Sequence, residues 1–388
     1  MSKYYTLVSE ADAVHMIIVE TEKRLKQLDL QWENKEWSGA LMQQLAGEDY
    51  FTWSFEKVAY AVKKRAKSRT AEMMNEYVLS LKHLPHVKDS FEYAVLFQQT
   101  EVLQLLLERH QDNEDLKEWI SVYRLLLQCL RGQLTHKEVV TEARHLDVGV
   151  KEPMLKLRLR LLAAHSYEQL WQFDEALFLL ENSISSFHCL EPCYMKSVLA
   201  SRALLSIGNS FLYGEGDIER AAVNYLGIVE NESTPDTMKA DVNHGLGLVM
   251  MCKKDSVMCA HYFQEAIFYA KETGKHAYRE CLEHEYYPFA RNILGEQFDL
   301  SGVVHEEQIH QHIVRGEYEK AIRMIEELEQ ARKSSIPLVW YKGMATGKKE
   351  FLWSALEQFE AGNGVFLASL IRRELENPCT DLGSGGGK

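Results

Sequence analysis

The tightest constraint on what this chain can fold into is a phrase that recurs. From Leu155 to Ile184 apolar and small residues return at helical spacing, with Ala163, Ala164 and Tyr167 ahead of a turn and Ala176 and Leu180 behind it. Two helices that meet through alanines cross closely, because small side chains let the backbones approach. The second half, Trp171-Gln172-Phe173-Asp174-Glu175-Ala176-Leu177, is echoed by Gly316-Glu317-Tyr318-Glu319-Lys320-Ala321-Ile322, with aromatic, acid and alanine in matching places. Ala164, Tyr167, Ala176 and Leu180 share their spacing with Gly247, Met250, Cys259 and Phe263, and with Gly343, Thr346, Ala355 and Phe359. Gly208, Phe211, Ala221 and Tyr225 fit it with one residue inserted in the Gly214-Glu215-Gly216 turn.

This spacing resembles the tetratricopeptide repeat, a helix-turn-helix unit that buries its core only by stacking on its neighbours. The expectation is an all-α protein: an N-terminal helical head of helix-turn-helix type, a right-handed solenoid of degenerate tetratricopeptide-like helix pairs, and a C-terminal capping region. The chain's 388 residues include only seven prolines and are 46% hydrophobic, which favours continuous helix over disorder. Its formal charge of −13 disfavours non-specific adhesion to nucleic acid or anionic membrane and suits cationic ligands. The seven cysteines have no framework spacing and no cleavable signal precedes Tyr4, so a reducing cytoplasm is expected. The apolar run Ala13 to Val19 stops at Glu20, far short of a membrane span, so no membrane partner is expected.

Taken in order, the chain divides into a head (1–68), linker helices that begin the solenoid (69–153), repeats (154–337), a capping and dimerisation repeat (338–378) and a Gly-rich flexible tail (379–388). The head is expected to hold helices from Glu10 to Leu28, Ser38 to Leu45 and Thr52 to Lys67. Such a head on a solenoid is a familiar DNA reader, yet Met1 to Tyr60 carries six Lys and Arg against ten Asp and Glu. Basic residues cluster just beyond, at Lys63, Lys64, Arg65, Lys67 and Arg69; they either hold phosphates or form an ordinary solvated helix end. Further on, Gly132 suits a helix C-terminus and Thr135 with Glu138 makes a capping box.

The small head, the Gly132-Gln133-Leu134-Thr135 joint running to Glu138-Val139, the degenerate repeats and the closing Tyr341-Lys342-Gly343-Met344-Ala345-Thr346 through Ser354-Ala355-Leu356-Glu357-Gln358-Phe359 together resemble the arbitrium receptors, the AimR family of Bacillus phages. The resemblance runs from about Ser54 onward and rests on spacing and apolar pattern. It implies a cytoplasmic homodimeric transcription regulator. Its heads would bind promoter DNA, its repeats would bind a re-imported signalling hexapeptide, and its output would be the choice between lysis and lysogeny. The acidic head also admits an adaptor of the response-regulator-antagonist kind, gripping a protein instead of DNA.

A groove for an extended peptide must satisfy peptide N–H and C=O groups, which an asparagine amide does by donating and accepting together. Asn209, just after Gly208, and Asn243, four positions before Gly247, fall on first helices of successive units and are expected to share the concave face. The plainer alternative for each is a helix cap or a solvated surface. Asn292 is a further candidate. Asn363, in Gly362-Asn363-Gly364, is either a left-handed turn residue or, by the resemblance, a polar peptide contact. Arg202 suits a peptide carboxylate, since its planar fork matches one.

Enzyme readings find no support in the sequence. His305 and His310 are five apart, which splits them around a helix, and Cys189 with Cys193 have no second pair. There is no phosphate-cradling glycine loop and no nucleophile elbow, so neither catalysis nor a cofactor is expected.

Overall fold

Local chemistry sets many of the helix ends. The Ser38 hydroxyl accepts from the Leu41 N–H at 3.3 Å and starts the first described helix. Thr135 and Glu138 form the reciprocal capping box, and Gly132 takes φ +63° just ahead of it. Prolines occupy the first turns of the helices that begin at Leu84, Pro153, Tyr287 and Ile336, where no donor is lost.

This is a computed structural model that describes residues 38–47, 53–66, 69–191, 193–231, 234–331 and 335–376. The helix expected over Glu10 to Leu28, Lys67 and the Gly-rich tail lie outside them. Every regular element among the described residues is helical. In order they are α1 (Gly39–Ala46), α2 (Phe55–Ala66), α3 (Thr70–Ser80), α4 (Leu84–Leu96), α5 (Thr100–His110), α6 (Lys117–Leu130), α7 (His136–Gly149), α8 (Pro153–Gln169), α9 (Phe173–His188) and α10 (Tyr194–Asn209). After a widened turn over Ser210–Glu215 come α11 (Ile218–Val229), α12 (Asp236–Cys252), α13 (Ser256–Glu272), α14 (His276–Cys281) and α15 (Tyr287–Ile293). The last are α16 (His305–Val314), α17 (Tyr318–Ala331), α18 (Ile336–Thr346), α19 (Lys349–Ala361) and α20 (Val365–Glu376). None of the described helices is long and apolar enough to cross a membrane.

The chain forms two units. One gathers the residues up to 170 with 174–207 and 226–237; the other gathers 171–173, 208–225 and the residues from 238 onward. In the first, the fully buried Phe55 ring lies 5.0 Å from Tyr194, 5.7 Å from Tyr77 and 6.3 Å from Tyr93. Tyr123 stacks on both Phe91 and Trp119. Burying rings of this size stabilises by roughly 2–3 kcal/mol apiece, and α2 is thereby tied into the same core as α3 and α4.

In the second unit consecutive helices pack on one another, α16 on α17, α18 on α19 and α19 on α20, and α20 returns to pack on Ser210–Glu215. The repeat spacing has a physical origin here. A Cβ added at Gly247 would lie 2.7 Å from the Phe263 ring, so the small residue and the ring sixteen positions later touch directly. At Gly208 and Gly245 the backbones press on opposite edges of the Tyr225 ring, each leaving only 2.6 Å for a Cβ. The unit with the insertion keeps this contact because the extra residue is spread over Ser210–Glu215, where the Asp217 N–H reaches back to Phe211 O at 2.8 Å. A single widened turn absorbs one residue without breaking the helix. Gly343 differs: its close neighbour is Leu352, at 2.6 Å, while Phe359 packs on Gly364.

Candidate functional site

The polar residues of α10 lie along one face, since Arg202, Ser206 and Asn209 follow one another at i, i+4 and i+7. Each is engaged differently. The Asn209 Oδ1 accepts from the Tyr225 hydroxyl at 2.8 Å. That hydroxyl also lies 3.0 Å from where a Gly245 Cβ would stand, so Asn209 is joined through Tyr225 to α12. Ser206 donates to the buried Glu168 carboxylate.

Arg202 faces Glu92. The Glu92 carboxylate has no exposed surface; its Oε2 accepts from Arg158 Nε at 2.7 Å and from the Tyr123 hydroxyl at 2.8 Å. Its Oε1 lies 3.4 Å from Arg202 Nε in an ion pair whose two atoms lack a hydrogen-bond partner. Burial, followed by the neighbouring Arg158 charge, brings the Arg202 guanidinium down to about 10. Burial together with the Glu92 charge holds the Tyr123 hydroxyl protonated far above its ordinary range.

Asn243 is buried on α12 and donates through Nδ2 to Lys239 O of its own helix at 2.8 Å. Beside it, His244 meets the Tyr278 hydroxyl at 3.0 Å and stacks on Tyr286 at 4.8 Å; burial lowers its pKa to about 4, so the ring is neutral. The expected aromatic neighbours thus take up packing positions, with Tyr287 on Phe263 and Phe366 on Tyr213. Trp171 is 44% exposed and bends the chain with φ +58°, its ring edge-on to Phe173.

Asn292 lies in a closed network. Its Nδ2 donates to Glu307 O at 3.0 Å and to Glu307 Oε2 at 2.9 Å, and its Oδ1 accepts from Gln311 Nε2 at 2.7 Å. Tyr341 completes the network by donating to Glu307 Oε1 at 2.7 Å. The histidine run serves the same packing: His310 Nδ1 stands 3.4 Å from Glu307 Oε2 and His312 Nδ1 lies 2.8 Å from Glu317 Oε2. Among the described residues no three His, Cys, Asp or Glu side chains are grouped to hold a metal ion. Asn363 sits at φ +59° between α19 and α20, the left-handed geometry of a turn.

On α2, Lys63 Nζ donates to Thr234 O at 3.3 Å and pairs with Asp236 at 3.3 Å. Lys64 is exposed and lies over the Tyr60 ring at 5.7 Å, while Arg65 is half-buried.

The structure therefore gathers Asn209, Tyr225 and the α12 wall at one junction. It sets Arg202 among Glu92, Arg158 and Tyr123, and it leaves Asn292 and Asn363 at other helix junctions. Sequence reasoning passed over Glu92, Arg158 and Tyr123, because residues separated by 66 positions carry no local signal of pairing. Tyr225 was legible only as a repeat ring, and its hydroxyl contact with Asn209 was not.

A family model for AimR transcriptional regulator-like proteins matches residues 70–377. The chain belongs to that family. Among solved structures, selenomethionine phAimR aligns with a TM-score of 0.67 at 18% identity, covering 92% of this chain and 98% of that one. A phAimR–ligand structure aligns with a TM-score of 0.64 at 17% identity, covering 82% and 96% respectively. At such identities the likeness concerns the fold. No curated protein matches.

Proposed function

We propose that the protein is a peptide-responsive transcription regulator. A short signalling peptide binds along the first helices of the repeats, with its backbone against Asn209 and Asn243 and further contacts at Arg202, Asn292 and Asn363. The bound peptide changes how a homodimer engages promoter DNA and so controls a phage's choice between lysis and lysogeny. The observation that carries this reading is the family match across residues 70–377.

The mechanism is a population shift. Peptide favours one arrangement of the helix pairs, and the heads then reach, or fail to reach, successive major grooves roughly 34 Å apart. A tenfold change in DNA affinity needs the peptide to discriminate the two arrangements by only about 1.4 kcal/mol. Calorimetry with hexapeptides encoded beside the gene tests the first half of the proposal. Binding heat is expected for the native chain and its loss for Asn209→Ala with Asn243→Ala at unchanged helicity; heat that survives both changes removes the asparagines from the site.

One observation favours the adaptor reading. Lys63, the first of the basic cluster, has its charge already paired with Asp236. Retardation of DNA flanking the gene at low salt, weakening as salt rises, supports the regulator, whereas no retardation at any salt supports the adaptor.

A further inference from the structure

Charges around Glu92 do not balance. Two guanidinium groups, Arg158 and Arg202, face one carboxylate, and no other carboxylate figures among the main charges acting on Arg202. Arg158 takes the better share: it is 4% exposed and hydrogen-bonded at 2.7 Å, on the same oxygen that Tyr123 uses. Arg202 is left with the other oxygen at 3.4 Å, without a hydrogen bond, on a side chain still 28% open to solvent. A positive charge that is mostly desolvated and only half compensated is costly, and burial accordingly pulls its pKa down. Such a group gains more than an exposed arginine from an arriving anion, because most of its water has already been removed. A planar fork suits a carboxylate, which accepts two parallel hydrogen bonds.

We propose that Arg202, backed by Arg158 and aligned by Glu92, is an anion seat that takes a carboxylate of the peptide ligand. Two kinds of peptide carboxylate share this chemistry, the C-terminal group and an Asp or Glu side chain. Position on α10 gives the seat its use. Arg202 stands two helical turns from Asn209 on the same face, so a peptide end fixed at Arg202 lays its backbone toward the Asn209 amide. Glu92 is a positioning residue. It aims the guanidinium without saturating it.

This inference rests on the peptide reading, and the experiment separates the two. A random hexapeptide library in free-acid form is passed over the full chain, and the captured peptides are resynthesised with a free C-terminus, with a C-terminal amide, and with any Asp or Glu changed to Asn or Gln. The expected result is binding at least about tenfold tighter for the free acid than for one of the neutralised forms, as loss of a charge-assisted pair requires. In Arg202→Gln that ratio falls to near one, while Arg202→Lys keeps part of it. Whichever neutralised form loses affinity identifies the carboxylate that is seated. Arg202→Gln leaves Glu92 with Arg158 and Tyr123, and circular dichroism of both variants is expected to match the native chain. Equal binding of acid and neutral forms to the native chain overturns the seat and leaves the peptide reading standing, as does a ratio unchanged in Arg202→Gln. A library from which nothing is captured overturns both.

Discussion

The two units of this protein hold polar groups in their interiors by opposite means. The first carries full charges in its core. Glu92 is shared by two arginines, and the buried carboxyl of Asp89 is raised to about 8, first by burial and then by the Glu56 charge beside it. The second brings its helices together through glycines set against rings, and it closes its main buried polar cluster mostly with amides, at Asn292, Gln311, Glu307 and Tyr341. A closed amide network defines one packing and has little reason to move. A partly matched charge responds to whatever charge arrives next.

Breaking the charged cluster is expected to have the largest effect. Glu92→Gln leaves two buried guanidinium groups without their carboxylate and lowers stability by about 3–5 kcal/mol in chemical denaturation. Arg202→Gln removes the surplus charge and is expected to change stability far less, which separates ligand seating from structural need. Asp89 comes next. Its folded-state pKa is raised, so its stabilising contribution is complete below about pH 4 and is lost as pH climbs toward about 8. Asp89→Asn therefore gains on the native chain as pH increases over that window, and thermal unfolding at pH 5 and pH 8.5 measures the gain.

In the second unit, Gly245→Ala drives a methyl into Tyr225. The helix propensity gain of up to ~1 kcal/mol is outweighed by ~1–3 kcal/mol of overpacking, so the melting temperature falls. Tyr225 is clamped from its other edge by Gly208 and cannot swing clear. Asn292→Ala leaves Gln311 and Glu307 short of partners and loses about 1–3 kcal/mol, measurable by denaturant titration. The smallest effect is expected at Thr135→Ala, about 1 kcal/mol, because that capping box is exposed and local.

Legibility in the sequence followed the distance over which each contact acts. The helix expected from Ser38 to Leu45 stands at Gly39–Ala46 with Ser38 as its cap, and the Thr135 box forms as read, because caps join residues three apart. The Gly247 and Phe263 pair was visible because a repeat fixes its offset. Gly343 against Leu352 was not, since the same spacing there is met by a different ring partner. The insertion near Gly214 was countable, but only the backbone shows it taken up as a widened turn. For α8, Arg158 and Glu168 are buried along with the leucines, so no polar face marks them out.

By itself the sequence determined that this chain is helical, that its helices pair through small residues, and that its spacing resembles that of the arbitrium receptors. Those properties depend on neighbours a few positions apart, or on an offset the repeat copies. The tertiary structure alone decided which charges meet in the interior. Glu92, Arg158 and Arg202 come from three separate helices, and a carboxylate attracts whichever guanidinium the fold brings near it, regardless of how much chain lies between.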